Sequence, residues 1–183
     1  MSEAGPPVAL TIAGSDSGAG AGVQADLKTF AAFGVYGTSV LTAVTAQNTL
    51  GVTAVQEIEL DVIAAQIDAV MSDIGADAVK TGMLSSAGII ETVADGIARH
   101  NVRNLVVDPV MVAASGDRLL RADAVETLAT RLLPLALVAT PNAPEAEVLA
   151  GVSIVTPSDM RDAARAIADL GPRNVIVKGG HMG

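Results

Sequence analysis

The chain has 183 residues, half of them apolar, with two Phe, one Tyr, no Trp and no Cys, and a formal charge of −9. The missing Cys exclude a disulfide framework and a Cys-based metal site, and the acidity, with no basic stripe, argues against a nucleic-acid partner. A phosphate ligand stays open, because one local site with a metal ion can override the global sign. The core must be aliphatic, and the length is read as one domain, residues 1–183, able to bury about 70% of its unfolded surface. No basic region precedes a long apolar run at the N-terminus, and no apolar stretch reaches about 20 residues. The expectation is no signal peptide, no membrane span and a cytoplasmic location.

No repeat, low-complexity block or linker interrupts the chain. Val8–Ala13 reads as a strand and Gly22–Phe33 as a helix. The loop between them carries Gly14, Gly18, Gly20 and Gly22, so its backbone can fold tightly and approach a ligand. It is not a Walker A loop, because no Gly-Lys-Ser/Thr follows. It is not the dinucleotide fingerprint either, because Val23 stands at the third glycine position. Thr38–Ala46 reads as a strand and Val52–Ile58 as an edge strand. Helical patterns over Asp61–Ser72, Ala87–His100, Ala122–Leu133, Pro144–Ala150 and Asp159–Leu170 then alternate with strands at Ala78–Lys80, Asn104–Asp108, Ala136–Ala139 and Asn174–Lys178. Aliphatic strands alternating with helices predict an α/β fold of three layers, α/β/α, with a largely parallel sheet covered on both faces.

Ligands of open parallel sheets bind beyond the carboxyl ends of the strands, so what each strand ends in matters. The first ends in Gly14, and the second in Thr45 and Gln47, which face the same way. The third parallel strand ends in Lys80-Thr81-Gly82-Met83 and the next in Asp108-Pro109-Val110-Met111. Thr140-Pro141-Asn142, with Glu145 a turn later, and Lys178-Gly179-Gly180 end the last two. Polar turns account for the prolines and glycines, but less well for Gln47, Asp108 and Lys178.

Asp26 shares a helix stripe with Val23, Phe30 and Phe33. A carboxylate there is costly unless it is paired or meets a ligand. Gln47 offers a donor and an acceptor side by side, a match for a ring nitrogen and its neighbouring amine. Met83, Val110 and Met111 can wall a flat ring. Asp108 and Glu145 are candidate Mg²⁺ carboxylates. Asn142 is either an N-cap or a neighbour of that site. Lys178, closing an apolar strand, reads as a phosphate partner. Lys80 and Lys28 read as ordinary solvated or paired lysines, and His100 as a partner of its helix C-terminus.

Nine segments together resemble the hydroxymethylpyrimidine and phosphomethylpyrimidine kinases of thiamin biosynthesis, in the ribokinase-like superfamily. They are Ala-Gly-Ser-Asp-Ser (13–17), Gly-Val-Gln-Ala-Asp-Leu-Lys-Thr-Phe (22–30), Gly-Val-Tyr-Gly (34–37), Thr-Ala-Val-Thr-Ala-Gln-Asn-Thr-Leu-Gly-Val (42–52) and Lys-Thr-Gly-Met-Leu (80–84), followed by Asp-Pro-Val-Met-Val-Ala (108–113), Ser-Gly-Asp-Arg-Leu-Leu (115–120), Thr-Pro-Asn-Ala-Pro-Glu-Ala (140–146) and Val-Lys-Gly-Gly-His (177–181). The resemblance implies ATP- and Mg²⁺-dependent phosphorylation of 4-amino-5-hydroxymethyl-2-methylpyrimidine and then of its monophosphate. It implies that Gly14, Asp26, Thr45, Gln47, Met83 and Val110 surround the pyrimidine. It places Asp108 and Glu145 with the metal, and Asn142 and Lys178 with the nucleotide. It also implies a homodimer. The alternatives are pyridoxal kinase activity, which relatives sharing the fold can show, and, from a different class, a non-catalytic pyrimidine- or nucleotide-binding module, the reading expected if the chain ends at Gly183.

Two departures qualify the match. Ala114 stands where relatives often carry Lys. The Gly-Thr-Gly-Cys-Thr or Gly-x-Gly-Asp-Thr segment that supplies the family's anion hole and catalytic base has no counterpart here, and Ala114-Ser-Gly-Asp117 lacks its leading Gly. No catalytic residue is therefore assigned. The expectation is that residues 1–183 are the N-terminal, C-terminally incomplete part of a longer enzyme, with little turnover alone, since one anion-hole donor elsewhere is worth roughly 10²–10³ in rate.

Overall fold

The computed structural model describes residues 5–111, 120 and 123–179. In chain order the elements are β1 (Val8–Ser15), α1 (Gly22–Ala32), β2 (Tyr36–Gln47), β3 (Val52–Glu57), α2 (Leu60–Asp73), β4 (Ala78–Thr81) and α3 (Ala87–Arg99). They continue with β5 (Leu105–Val107), α4 (Ala124–Thr127), β6 (Val138–Ala139), α5 (Ala143–Ala150), α6 (Pro157–Ala168) and β7 (Asn174–Val175). The strands form one sheet ordered β3-β2-β1-β4-β5-β6-β7. All neighbours are parallel except β2 and β3, whose antiparallel pairing makes β3 the edge strand expected at Val52–Ile58.

Strand alternation sorts the side chains between two unequal faces. Leu10, Ile12, Val40, Val79, Leu105, Val107 and Ala139 point to one side. There they pack with Ile63 and Ile67 of α2, with Ile89, Ile90, Val93 and Ile97 of α3, with Ala124 of α4 and with Leu128 just after it. Val175 extends that side to Ala146, Ala163 and Ile167 of α5 and α6. On the opposite face α1 packs over β1 and β2. Both faces carry helices as expected, but among the described residues five lie on one and α1 on the other. On the α1 side, Val106 and Val138 are half-buried and Ile176 is 57% exposed.

Local chemistry fixes the helix ends. Asn142 accepts from the Glu145 amide and Glu145 from the Asn142 amide, and Thr156 and Asp159 repeat the arrangement at α6. These capping boxes satisfy amides that the first helical turn leaves free. Helix α5 stops at Gly151, whose φ of 68° is left-handed.

The expected helix over Ala122–Leu133 differs. After α4 the chain widens into a π-helical turn at Leu128–Leu132 and then a 3₁₀ turn at Leu133–Leu135. Pro134 has no amide to return to Thr130, and its ring clashes with that carbonyl, so α-helical spacing cannot continue. The last strand is also shorter than Asn174–Lys178: its ladder covers Asn174 and Val175, with one further bridge between Lys178 and Asn142. Phe33 leaves the expected stripe, being the C-cap of α1 and 80% exposed. Among the described residues no helix is long and apolar enough to cross a membrane.

From β1 the chain runs outward to β2 and β3, then returns across the sheet to β4. Neighbouring strands whose connections leave in opposite directions open a crevice at their carboxyl ends. Here that crevice lies beyond β1 and β4.

Candidate functional site

A cavity of about 320 Å³ occupies this crevice. Its lining includes Gly14, Asp26, Thr45, Gln47, Met83 and Val110, all six residues expected around a ring, together with Asp108. Sequence positions from 14 to 110 thus meet in one place.

The glycine loop is organised around Asp16, which is only 5% exposed. Its Oδ1 accepts from the Gly18 amide at 2.8 Å, and its Oδ2 from those of Gly20 and Ala21 at 3.0 and 2.8 Å. The Asp16 amide donates in turn to Gln24 Oε1 at 2.9 Å, and Gln24 Nε2 to Ser15 Oγ at 2.8 Å, tying α1 to the loop. Gly22 adopts a φ of 60°, and a Cβ on it would lie 2.5 Å from the Gly14 carbonyl oxygen, so only glycine closes the loop onto the helix.

Thr45 is 4% exposed, and its Oγ1 donates to the Ser15 carbonyl at 2.7 Å, with Gln47 Oε1 at 3.3 Å. Thr45 and Gln47 do share one side, as their spacing predicted. Gln47 is half-buried and lines the cavity. Met83 is 8% exposed, with its thioether end packed against Gly14. Polar groups and an apolar wall within one cavity suit a flat heterocycle.

Asp26 is paired. Thr11 Oγ1 donates to its Oδ2 at 2.6 Å, and Lys80 Nζ reaches both oxygens at 3.1 and 2.8 Å. This explains how a carboxylate sits on the inner stripe of α1. The Lys80–Asp26 pair spans 54 positions.

The expected metal and nucleotide residues cluster beside the cavity. Lys178 Nζ lies 2.8 Å from Asp108 Oδ1. Glu145 is 5% exposed. Its Oε2 accepts from the Asn142 amide at 2.8 Å, and its Oε1 accepts from the Met111 amide at 3.3 Å. Burial raises the Glu145 pKa above the usual glutamate range; the Asn142 amide opposes the shift, and the Asp108 charge adds to it. Asn142 is both things the sequence left open, the N-cap of α5 and a neighbour of this group. Ala114, Asp117 and His181 lie outside the described residues.

Sequence reasoning missed three participants. Asp16 was signalled by Ser-Asp-Ser-Gly, a segment suited to a turn in which an Asp side chain caps nearby amides. Ser17 is fixed to Gln47 through a long-range contact. Lys80 read as ordinary because only the register, which sets Thr11 beside Lys80, brings it under Asp26.

The family model described as phosphomethylpyrimidine kinase matches residues 16–183. The chain is 57% identical over 176 residues to the hydroxymethylpyrimidine/phosphomethylpyrimidine kinase of Rhizobium meliloti (strain 1021), covering 96% of this chain and 66% of that protein. It thus spans slightly under two thirds of the length of this curated relative. A crystal structure of phosphomethylpyrimidine kinase from Clostridium difficile 630 superposes with a TM-score of 0.90 at 51% identity, over 96% of this chain and 76% of the other. The pyridoxal kinase of Staphylococcus aureus in complex with pyridoxal superposes at 0.88 with 40% identity, over 97% and 64%.

Proposed function

This chain belongs to the phosphomethylpyrimidine kinase family, and we propose that the whole protein phosphorylates 4-amino-5-hydroxymethyl-2-methylpyrimidine and then its monophosphate. In each round the acceptor oxygen bonds to the terminal phosphorus of ATP, the bond from that phosphorus to the bridging oxygen breaks, and ADP leaves. In the first round the hydroxyl also loses its proton.

The observation that carries this reading is the convergence of Gln47, Met83, Val110 and Asp108 on one cavity at the β1–β4 crevice. Gln47 reads the ring nitrogen and exocyclic amine, a pairing worth roughly 1–3 kcal/mol by analogy with base-edge recognition. Gly14, Thr45, Met83 and Val110 shape the ring's slot, and Asp26 closes its side. Lys178 and Asn142 face the nucleotide phosphates. Asp108 and Glu145 form a hard oxygen donor set that suits Mg²⁺, which takes one or two carboxylates and completes its shell with phosphate oxygens and water. Both Glu145 oxygens already accept backbone amides, so its part is exerted through water, with Asp108 the direct ligand. The metal supplies charge neutralisation for the phosphates.

A single domain working as a cytoplasmic homodimer completes the proposal. The dimer reading is supported by the β2–β3 hairpin, where Leu50 is 89%, Val55 47% and Val44 45% exposed on an open sheet edge.

A second reading, pyridoxal phosphorylation, is favoured by the 40% identity to a pyridoxal kinase holding pyridoxal. ADP release by the full-length protein, compared with hydroxymethylpyrimidine and with pyridoxal as acceptor, decides between them. Turnover with pyridoxal alone overturns the first reading, and no turnover with either favours a binding module.

A further inference from the structure

We propose that Lys80 is the anchor for the phosphate of the monophosphate substrate, and so sets the preference between the two acceptors; this rests on the pyrimidine-kinase reading above. Among the described residues lining the cavity, Lys80 is the sole cation, and it shares that lining with Asp16, Asp26 and Asp108. A neutral alcohol enters such a cavity without charge conflict. A phosphomonoester brings roughly −1.5 to −2 charges at neutral pH and meets three carboxylates of the same sign.

An ammonium has three N–H donors. Two are directed at Asp26, at 3.1 and 2.8 Å, leaving one. Space beside it is kept open by Gly82, where a Cβ would come within 3.0 Å of Lys80 Nζ. Asp26, itself held by Thr11, fixes the lysine, so the ammonium is presented in a set place at low entropic cost.

The strand order supplies the sequence of these groups across the sheet. Gln47 ends β2 and Lys80 lies on β4, with β1 between them. Asp108, after β5, lies one strand further on. Ring, substrate phosphate and metal-side carboxylate thus follow one another along the sheet edge in the order a second phosphoryl transfer requires.

The test uses the full-length protein with Lys80→Met and Lys80→Arg, measuring kcat and KM by ADP release with the alcohol and with the monophosphate. Thermal shifts caused by each acceptor in the absence of ATP give an independent readout of binding. For Lys80→Met, removal of a charged hydrogen bond is expected to lower kcat/KM for the monophosphate by about 30–100-fold, mainly through KM. The alcohol loses about 3-fold, because Asp26 loses its partner. Lys80→Arg retains most of the monophosphate activity and keeps the comparison available if Lys80→Met folds poorly. Equal losses on both acceptors, or an unaltered monophosphate KM, overturn the proposal. Wild-type turnover of the alcohol but not the monophosphate overturns it while leaving the kinase reading standing. Turnover of neither acceptor removes that reading, and the proposal with it.

Discussion

Ser17 and Gln47, thirty positions apart, are joined twice: Ser17 Oγ donates to the Gln47 carbonyl at 2.6 Å and accepts from the Gln47 amide at 2.8 Å. One hydroxyl thereby clamps the glycine loop to the end of β2 and fixes the root of the side chain proposed to read the ring. Ser17→Ala is expected to raise the pyrimidine KM by about 3–10-fold with kcat nearly kept, because two neutral hydrogen bonds are lost outside the reacting atoms. Gln47→Ala raises it further, and the double variant does less harm than the sum, since both act on one contact. Strictly additive losses in such a cycle would show that the clamp does not serve Gln47.

Gly14 and Met83 line the same cavity, side by side. A Cβ at position 14 overlaps the Met83 terminal methyl, which is the free end of a flexible side chain. Gly14→Ala is therefore expected to cost less than about 1.5 kcal/mol in urea unfolding, while Met83 swings into the cavity and raises the pyrimidine KM at least about 10-fold. Adding Met83→Ala should recover much of the affinity. No recovery would mean that the obstruction lies elsewhere.

Gly22 and Gly34 are matched in backbone but not in surroundings. Their φ values are 60° and 70°, yet a Cβ at Gly22 meets the Gly14 carbonyl at 2.5 Å and the Asp16 amide at 2.9 Å, whereas Gly34 has nothing within 4 Å. Gly34→Ala should cost about 1–2 kcal/mol from the left-handed backbone alone. Gly22→Ala adds a clash with backbone that cannot move aside, for a loss of at least about 3 kcal/mol in chemical denaturation. Equal costs would show that the loop relaxes freely.

Glu145 gives a pH dependence with a definite sign. Burial raises its folded pKa, so between the unfolded value, about 4.3, and the raised folded value the native state holds more protons than the unfolded chain. Stability from this group is complete below the unfolded pKa and declines as pH rises through the folded one. The unfolding free energy of the wild type minus that of Glu145→Gln should fall across this window in urea titrations without metal. A difference that is flat or rises with pH contradicts the burial argument.

The layered α/β fold was legible because its signals are local. Non-alternating aliphatic strands, turn glycines and the Asn142–Glu145 spacing each act within a few residues of themselves. The exception over Ala122–Leu133 came from one residue, Pro134, whose effect on the preceding turn outweighed helical periodicity. Gln47, Asp108 and Lys178 were legible for a different reason: in a parallel sheet every strand's carboxyl end arrives at one edge.

The sequence by itself determined which residue types stand at that edge and that a glycine loop opens α1, because strand periodicity and glycine's freedom are properties of short segments. Only the tertiary structure decided that Asp26 is held by Lys80 and Thr11, that Ser17 laces the loop to Gln47, and that, among the described residues, five helices crowd one face of the sheet while α1 has the other. These depend on strand order and register, which bring together groups between 15 and 54 positions apart, and register is set by the packing of the whole sheet.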